Sequence, residues 1–394
     1  MKKEATKTSR KDILTHIKRV VIKIGSGVLT DKKDLNTNII NSLASDISSL
    51  MKKETEVILV SSGAIAAGQK KLGIIHRPSD ISSLQALAAA GQSILMKTYE
   101  QAFGHYEQKV AQVLLTRDDL MHRRRYLNAR NTIFKLLGWK VLPVINENDT
   151  VVVEEIKFGD NDNLSALVAN LTEAQLVINL TNIDGLLTDD PRLDKDATLI
   201  TLVEKIDKTI MHCAGSIPGF LGTGGMKSKI EAARKVALAG IPTIIANGLK
   251  PGILKDIFAG KEVGTLFLPQ QKHLDCRKHW IAFAKSPKGE LIIDKGAVEA
   301  IKKHGKSLLP AGILQVNGNF SMGDAVLLMD RDKKKVAIGM TNYRSGDIKK
   351  IMGLNSGEIK SVLGFKHDDN VVHRNNLVLY MDENGEDIKC RSAI

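Results

Sequence analysis

A glycine-rich turn in the second half of the chain has the composition of a phosphate-binding site. It runs from Gly222 to Lys229 with the sequence Gly-Thr-Gly-Gly-Met-Lys-Ser-Lys, and a helical pattern follows it. Glycines allow the backbone to approach a phosphate closely, the first N–H groups of a helix are unpaired, and Lys229 adds a full positive charge. The position of the lysine differs from that in a P-loop. The turn therefore predicts phosphate binding on another fold.

A second lysine, Lys23, lies near the end of a short apolar segment and is followed by Gly25, Ser26 and Gly27. A lysine in a buried strand is destabilising unless it faces an anion or a carboxylate. The backbone N–H groups after it could contact the same anion. The alternative is that Lys23 only extends from the strand end into solvent. The two lysines and two glycine turns thus indicate an anionic ligand.

Short polar side chains are concentrated at three further places: Ser62-Gly63, Asn146–Asp149 and Gly159–Asn163. Turns and helix caps explain each of them equally well when it is taken alone. Together they suggest a site, because two lysines need a carboxylate to hold them and a substrate ammonium group needs a carboxylate partner. Calcium is excluded because the glycine and the distal glutamate of an EF-hand are missing.

The elements that must position these residues are apolar strands alternating with helices. Such a pattern predicts a parallel sheet covered by helices on both faces, with ligands bound at the carboxyl ends of the strands. The predicted strands are 19–24, 57–60, 110–115, 141–145, 176–180 and 243–246. The predicted helices are 36–51, 64–71, 82–103, 127–137 and 163–170.

Length and composition set limits on the class of protein. The chain has 394 residues, 43% of them hydrophobic, which favours two domains over one. No apolar run reaches the roughly 18 residues of a membrane helix, and the basic N-terminus lacks the apolar stretch of a secretory signal. Cys213, Cys276 and Cys390 lie far apart without zinc or dithiol spacing. We therefore expect a cytoplasmic location.

The formal net charge of +13 is concentrated at the two ends of the chain. Residues 1–22 carry seven Lys and Arg against two acids, and residues 271–394 carry 21 against 15. The excess could mark a nucleic-acid surface in the C-terminal part. We favour the simpler interpretation, a lysine-rich solvated exterior.

Five motifs resemble the glutamate 5-kinases of the amino acid kinase family. The resemblance spans about residues 18–270 and implies an α/β fold, namely a three-layer αβα catalytic domain with a mainly parallel sheet. Residues 1–17 would then be a basic N-terminal extension. The motifs are Lys23–Gly27, Val60–Gly68, Val144–Asp149, Gly159–Ala166 and Gly222–Lys229.

The resemblance implies transfer of the ATP γ-phosphoryl group to the γ-carboxylate of L-glutamate, the first step of proline biosynthesis. A carboxylate is already nucleophilic, so the site must align two anions and neutralise charge rather than supply a base. Lys23 and Lys229 would stabilise the moving phosphoryl group, and Asp162 would orient both lysines. Magnesium is expected with ATP, held mostly by water and phosphate, so no protein metal ligand is predicted.

Two sets of binding residues are also implied by the resemblance. Where the family usually has Thr-Asp beside the nucleotide, this chain has Thr181-Asn182, which keeps a hydrogen-bonding carbonyl and loses the charge. Glutamate would be bound by Ser62, Gly63, Asn146, Asp149 and Asn161, with Asp149 facing the α-ammonium group. ATP would be bound by Lys23, Gly25, Gly27, Thr181, Asn182, Thr223, Gly224, Gly225, Met226, Lys227, Ser228 and Lys229.

Residues 287–365 resemble a PUA domain, and residues 366–394 would form a C-terminal extension. PUA domains elsewhere bind RNA, but aromatic residues are few here, so an RNA role rests on analogy alone. Short strands and glycine turns are predicted at 291–294, 312–316, 320–324, 325–329 and 336–340, a pattern typical of a small β-barrel.

The resemblance further implies a homo-oligomer, and we expect inhibition by proline, which shares the α-amino and α-carboxylate groups of glutamate. Two alternatives stay open. One is a kinase for acetylglutamate, aspartate or a nucleoside monophosphate, against which the Asn146–Asp149 and Asp160–Asn163 clusters argue. The other is an RNA-binding regulator that has lost catalysis, against which the intact Lys23, Asp162 and Lys229 argue.

Overall fold

The computed structural model describes residues 10–31, 34–151, 160–189, 194, 196–213, 225–269 and 287–380. The chain divides into two compact units, Met1–His273 and Leu274–Ile394. Each unit has hydrophobic clusters of its own. The two units therefore have separate cores.

The strands of the first unit are β1 (Arg19–Ile24), β2 (Thr30–Asp31), β3 (Asp34–Leu35), β4 (Glu56–Ser61), β5 (Val110–Leu115), β6 (Leu142–Glu147), β7 (Leu176–Thr181), β8 (Leu202–Val203), β9 (Thr243–Asn247) and β10 (Thr265–Phe267). Eight of them form one sheet in the order β5-β6-β4-β1-β7-β9-β10-β8, and β2 pairs with β3. Neighbours in the large sheet run parallel except β9 and β10. The predicted parallel sheet is confirmed.

Helices cover both faces of this sheet. None of the helices that the structure describes is long and apolar enough to cross a membrane. The helices are α1 (Arg10–Thr15), α2 (Ser26–Leu29), α3 (Thr37–Lys52), α4 (Ala64–Lys71), α5 (Ile81–Gly104), α6 (Arg117–Met121), α7 (Arg123–Gly138), α8 (Asp160–Leu171), α9 (Lys208–Cys213), α10 (Met226–Leu238) and α11 (Ile253–Phe258), with a 3-10 turn at Asp149–Val151.

Side chains of the central strands alternate between two hydrophobic clusters. Val20, Ile22 and Ile24 of β1 pack in the cluster with α3 and α5, whereas Val21 packs in the cluster with α7, α8 and α10. Successive side chains of a strand point to opposite faces. Lys23 therefore shares the face of Val21 and points towards α8.

The helix pair α4 and α5 packs unusually closely. A Cβ on Gly68 would lie 1.9 Å from the carbonyl oxygen of Leu87, and a Cβ on Gly91 would lie 1.9 Å from that of Ala64. Only glycine leaves room for backbones at this separation. The crossing fixes the middle of α5, around Gly91, against the start of α4, which follows the loop after β4.

The second unit contains a five-stranded sheet in which antiparallel pairs predominate. Its strands are β11 (Gly289–Ile293), β12 (Ile313–Gly318), β13 (Ala325–Met329), β14 (Lys335–Thr341) and β15 (Val372–Leu379), in the order β12-β11-β13-β14-β15. Only β11 and β13 run parallel. The helices are α12 (Lys295–His304), α13 (Ser345–Ile351) and α14 (Ile359–Leu363), with 3-10 turns at Pro310–Gly312 and Ser356–Glu358.

One feature of this unit differs from the sequence expectation. The segment 320–324 is a turn rather than a strand, because Gly323 adopts a positive φ of 83° and the Ser321 amide donates to the Asp324 carboxylate. The strand β15 follows residue 365, where the sequence analysis places the end of the PUA domain, and it pairs with β14.

Candidate active site

Two lysines and one aspartate form a buried ion cluster at the carboxyl end of β1. Asp162 is 1% exposed and lies between Lys23 and Lys229. Lys23 Nζ is 2.5 Å from Asp162 Oδ1, and Lys229 Nζ is 3.2 Å from Oδ2. The structure thus brings together three residues from β1, α8 and α10 that are far apart in the sequence.

The electrostatics of this cluster favour an anionic ligand. Burial alone would raise the pKa of Asp162, but Lys23 and Lys229 outweigh it, so the pKa lies well below its usual range. Burial lowers the pKa of Lys229, and the Asp162 carboxylate only partly opposes the effect. Two ammonium groups against one carboxylate leave a net positive charge in a buried place, where an anion is strongly attracted.

Asn179 is a member of this cluster that the sequence interpretation missed. It lies on β7 directly opposite Lys23 of β1, and its Nδ2 donates to Asp162 Oδ1 at 2.9 Å. Asn179 is buried, and its own Oδ1 has no hydrogen-bond partner within the described part of the chain. The side-chain amide of Asn179 in the middle of the apolar strand Leu176–Thr181 is the sequence feature that could have identified this residue.

The start of α10 supplies the remaining contact to Asp162. Gly225 caps the helix, and the Ser228 hydroxyl lies 2.8 Å from Asp162 Oδ2 and 2.9 Å from the Gly225 carbonyl oxygen. Met226 is partly buried and Lys227 is exposed in the same first turn. Thr223 and Gly224, predicted to bind ATP, lie outside the described residues, as does Gly159.

A second network, made of amides, begins one residue before Asp162. Asn161 Nδ2 lies 2.9 Å from the Ser61 carbonyl oxygen and 2.9 Å from the Ser62 hydroxyl oxygen. It also donates to Asn146 Oδ1 at 3.2 Å. Three of the residues predicted to bind glutamate are therefore in direct contact, namely Ser62, Asn146 and Asn161.

The other two residues of that predicted set lie on adjoining turns. Gly63 follows Ser62 with a left-handed φ of 98° and precedes α4, while Asp149 begins the 3-10 turn two residues after β6. A buried hydrogen bond of 2.8 Å between Tyr99 of α5 and Ser61 supports the end of β4. Neither Tyr99 nor Ser61 was singled out from the sequence.

The residues predicted to face the nucleotide lie where β1 and β7 end. Asn182 is exposed and so close to Gly27 that a Cβ there would lie 3.3 Å from the Asn182 Cγ. The Gly25 amide donates to the Leu180 carbonyl oxygen at 2.9 Å, so it is not available to an anion, contrary to expectation. Thr181 is buried at the end of β7.

Both units of the chain are similar to known protein families. The model of the Amino acid kinase family matches residues 18–247, and the model of the PUA domain matches residues 289–363. A Glutamate 5-kinase of Syntrophotalea carbinolica is 50% identical over 370 residues, covering 94% of this chain and 99% of that protein. A Glutamate 5-kinase of Geobacter metallireducens is 52% identical over 371 residues, covering 94% of this chain and all of that protein.

The family model covers most of the first unit, and the two relatives are 50% and 52% identical to this chain over 94% of its length. The chain therefore belongs to the amino acid kinase family, and within it to the glutamate 5-kinases.

Proposed function

We propose that this kinase transfers the γ-phosphoryl group of ATP to the γ-carboxylate of L-glutamate and forms L-glutamyl 5-phosphate, the first step of proline synthesis. The observation that carries the proposal is the buried cluster of Lys23, Asp162 and Lys229, with its net positive charge at the carboxyl ends of parallel strands. The similarity to proteins named Glutamate 5-kinase supports glutamate as the acceptor.

The cluster suits transfer between two anions. The acceptor carboxylate needs no base, and Asp162 is unsuited to be one, because its pKa is lowered and both of its oxygens are engaged. Its role is to position the ammonium groups of Lys23 and Lys229. These neutralise the charge that spreads over the phosphoryl oxygens during transfer.

ATP enters this proposal as its magnesium complex. Its phosphates would approach the first turn of α10, with Gly225 and Ser228, and the short helix α2 after β1, which contains Gly27. Unpaired N–H groups at a helix start favour phosphate. Magnesium would be bound by phosphate oxygens and water, as is common for nucleotide complexes.

The reaction is tested by mixing purified protein, MgATP and either glutamate, aspartate or acetylglutamate, and trapping acyl phosphate as hydroxamate. We expect hydroxamate with glutamate alone. Lys229→Ala should lower kcat by at least about 100-fold, as expected when a group that stabilises transition-state charge is removed. No product with glutamate would overturn the assignment.

Inhibition by proline is part of the same proposal. Proline carries the α-amino and α-carboxylate groups of glutamate and would compete for the site around Ser62, Asn146 and Asn161. We expect proline to raise the KM for glutamate without lowering kcat at saturating glutamate. A fall in kcat with an unchanged KM would show that proline acts elsewhere.

A second candidate function, RNA binding, belongs to the second unit. A cavity of about 660 Å³ there is lined by Lys306, His373 and Arg374, by one carboxylate, that of Asp294, and by small residues of α12. Basic side chains around a cavity favour a phosphate-bearing ligand. Fluorescently labelled RNA should bind with an affinity that falls as salt rises, and Lys306→Ala with Arg374→Ala should abolish that binding.

A further inference from the structure

The amide network beside the ion cluster extends beyond the residues that the sequence identified. Asn146 Nδ2 donates to the side-chain oxygen of Gln92 on α5 at 2.9 Å. Hydrogen bonds thus link three side-chain amides in series: Asn161 of α8, Asn146 of β6 and Gln92 of α5. This series of amides links the Ser62 hydroxyl to α5, which lies on the opposite face of the sheet from α8.

Contacts with backbone groups fix the direction of each hydrogen bond in this series of amides. The Ser61 carbonyl can only accept, so the NH2 group of Asn161 must face it. The Glu147 amide can only donate, and it donates to Asn146 Oδ1 at 2.9 Å. Asn146 Nδ2 is then left for Gln92, whose oxygen must accept. The Nε2 group of Gln92 is consequently the free end.

The two polar atoms at the ends of this series of amides are buried, and their hydrogen bonding is unsatisfied within the described part of the structure. Gln92 Nε2 and Asn161 Oδ1 are each shielded from solvent, and neither has a hydrogen-bond partner among the residues that the structure describes. A buried polar group without a partner destabilises the folded protein unless a ligand or water pairs with it. A free donor at one end and a free acceptor at the other suit a ligand that carries a carboxylate and an ammonium group.

We propose that Gln92 is a substrate-binding residue whose Nε2 group donates to the α-carboxylate of glutamate. The inference rests on the proposed function and deepens it, since it assigns a donor to the amino-acid end of the substrate. The γ-carboxylate must instead lie near Lys229, where the phosphoryl group arrives. Gln92 therefore determines specificity without touching the reacting atoms.

The helix crossing explains how Gln92 can be held in place. It directly follows Gly91, whose Cα lies against the backbone of α4 with no room for a side chain. The same crossing sets α4, and hence the Ser62-Gly63 turn at its start, relative to α5. A donor on a rigid helix costs little entropy when it binds.

Gln92→Glu is the decisive variant, because the glutamate side chain keeps an oxygen for Asn146 and replaces only the free donor by an acceptor. We expect the KM for glutamate to rise at least tenfold, with kcat within threefold and the KM for ATP within twofold of the wild type. A contact made equally in ground state and transition state acts in this way on KM alone. Gln101→Glu, an exposed position of the same helix, should change neither constant more than twofold.

Gln92→Met removes the donor without adding charge and should also raise the KM for glutamate. An unchanged KM in both variants would overturn the proposal. So would a fall in kcat together with a rise in the KM for ATP, because that pattern indicates a structural role in the network. Wild-type protein without glutamate-dependent turnover would instead overturn the proposed function itself, so the two failures are distinguishable.

Discussion

At the scale of single residues, the site depends on how one carboxylate divides its hydrogen bonds. Asp162 Oδ1 accepts from Lys23 and Asn179, and Oδ2 accepts from Lys229 and Ser228. The four donors come from three parts of the sequence: β1, β7 and the start of α10. The carboxylate therefore works as the common fixed point to which both lysines are held.

Asp162→Asn should uncouple the two lysines. A neutral amide leaves two buried ammonium groups uncompensated, and breaking a buried pair costs about 3–5 kcal/mol of unfolding free energy. We expect kcat to fall at least about 100-fold and the denaturant midpoint to fall as well. Asp184→Asn, which removes an exposed carboxylate paired with Lys250 at 2.7 Å, should change stability by less than about 1 kcal/mol.

The stability difference between wild type and Asp162→Asn should depend on pH. The pKa of Asp162 is lowered in the folded protein, so its contribution is complete above the unfolded value, about 3.9, and is lost as pH falls towards the folded value. Urea unfolding at pH 7 and at pH 3 should show a smaller difference at the lower pH. An equal difference at both would contradict the ionised state of Asp162.

Asn179→Leu tests whether the missed amide positions the carboxylate. Leucine fits the apolar strand β7 and removes both the bond to Asp162 and the unsatisfied Oδ1, so stability should change by less than about 1 kcal/mol. We expect kcat to fall by up to about tenfold, with both KM values within twofold. A large loss of stability would show that Asn179 serves the fold rather than the site.

At the scale of elements, strand ends and helix starts place the site. Lys23 and Asn179 lie opposite each other because β1 and β7 pair in parallel register, and both face α8 because they share the face of Val21 and Val177. The close crossing of α4 and α5 fixes the positions of the Ser62 turn and Gln92 relative to each other. A site made from several element ends tolerates little movement of any one of them.

Gly91→Ala should therefore disturb both fold and site. The new methyl group would lie 1.9 Å from the carbonyl oxygen of Ala64, which forces the helices apart. Overpacking of this kind costs about 1–3 kcal/mol or more, and we expect the KM for glutamate to rise several-fold. Gly104→Ala, at the open end of the same helix, has free space for its Cβ and should be neutral or slightly stabilising. Thermal unfolding and kinetics compare the two.

At the scale of the whole molecule, the two units have separate cores. Leu291, Val326 and Leu328 belong to a cluster confined to the second unit, whereas the clusters around the ion site are confined to the first. Catalysis is proposed for the first unit alone. Loss of packing in the second unit should consequently leave the site intact.

Leu328→Ala provides that test. Leu328 is fully buried on β13, and its truncation should destabilise the second unit by about 2–5 kcal/mol. We expect faster trypsin cleavage within residues 287–380 and a kcat within twofold of the wild type. Leu314→Ala, at a 40% exposed position of the same sheet, should leave proteolysis unchanged. A parallel loss of kinase activity would show that the units depend on each other.

The sequence by itself determined the fold class and most of the elements. Fully apolar strands alternating with helices have a distinctive period, so the predicted strands of the first unit agree with the structure within about two residues. Motifs such as Gly222–Lys229 and Gly159–Ala166 identified the family because their residue types at fixed spacing are rare. Lys23, Asp162 and Lys229 could be singled out for the same reason.

Only the tertiary structure decided which polar residues meet. Asn179 and Gln92 stand in an apolar strand and a helix with no neighbouring motif, and their importance arises from register and helix crossing. The Gly25 amide was expected to be free, yet it is engaged by Leu180 of a distant strand. Hydrogen bonds between residues remote in sequence depend on angles and distances set by packing, and a pattern of residue types along one chain does not contain them.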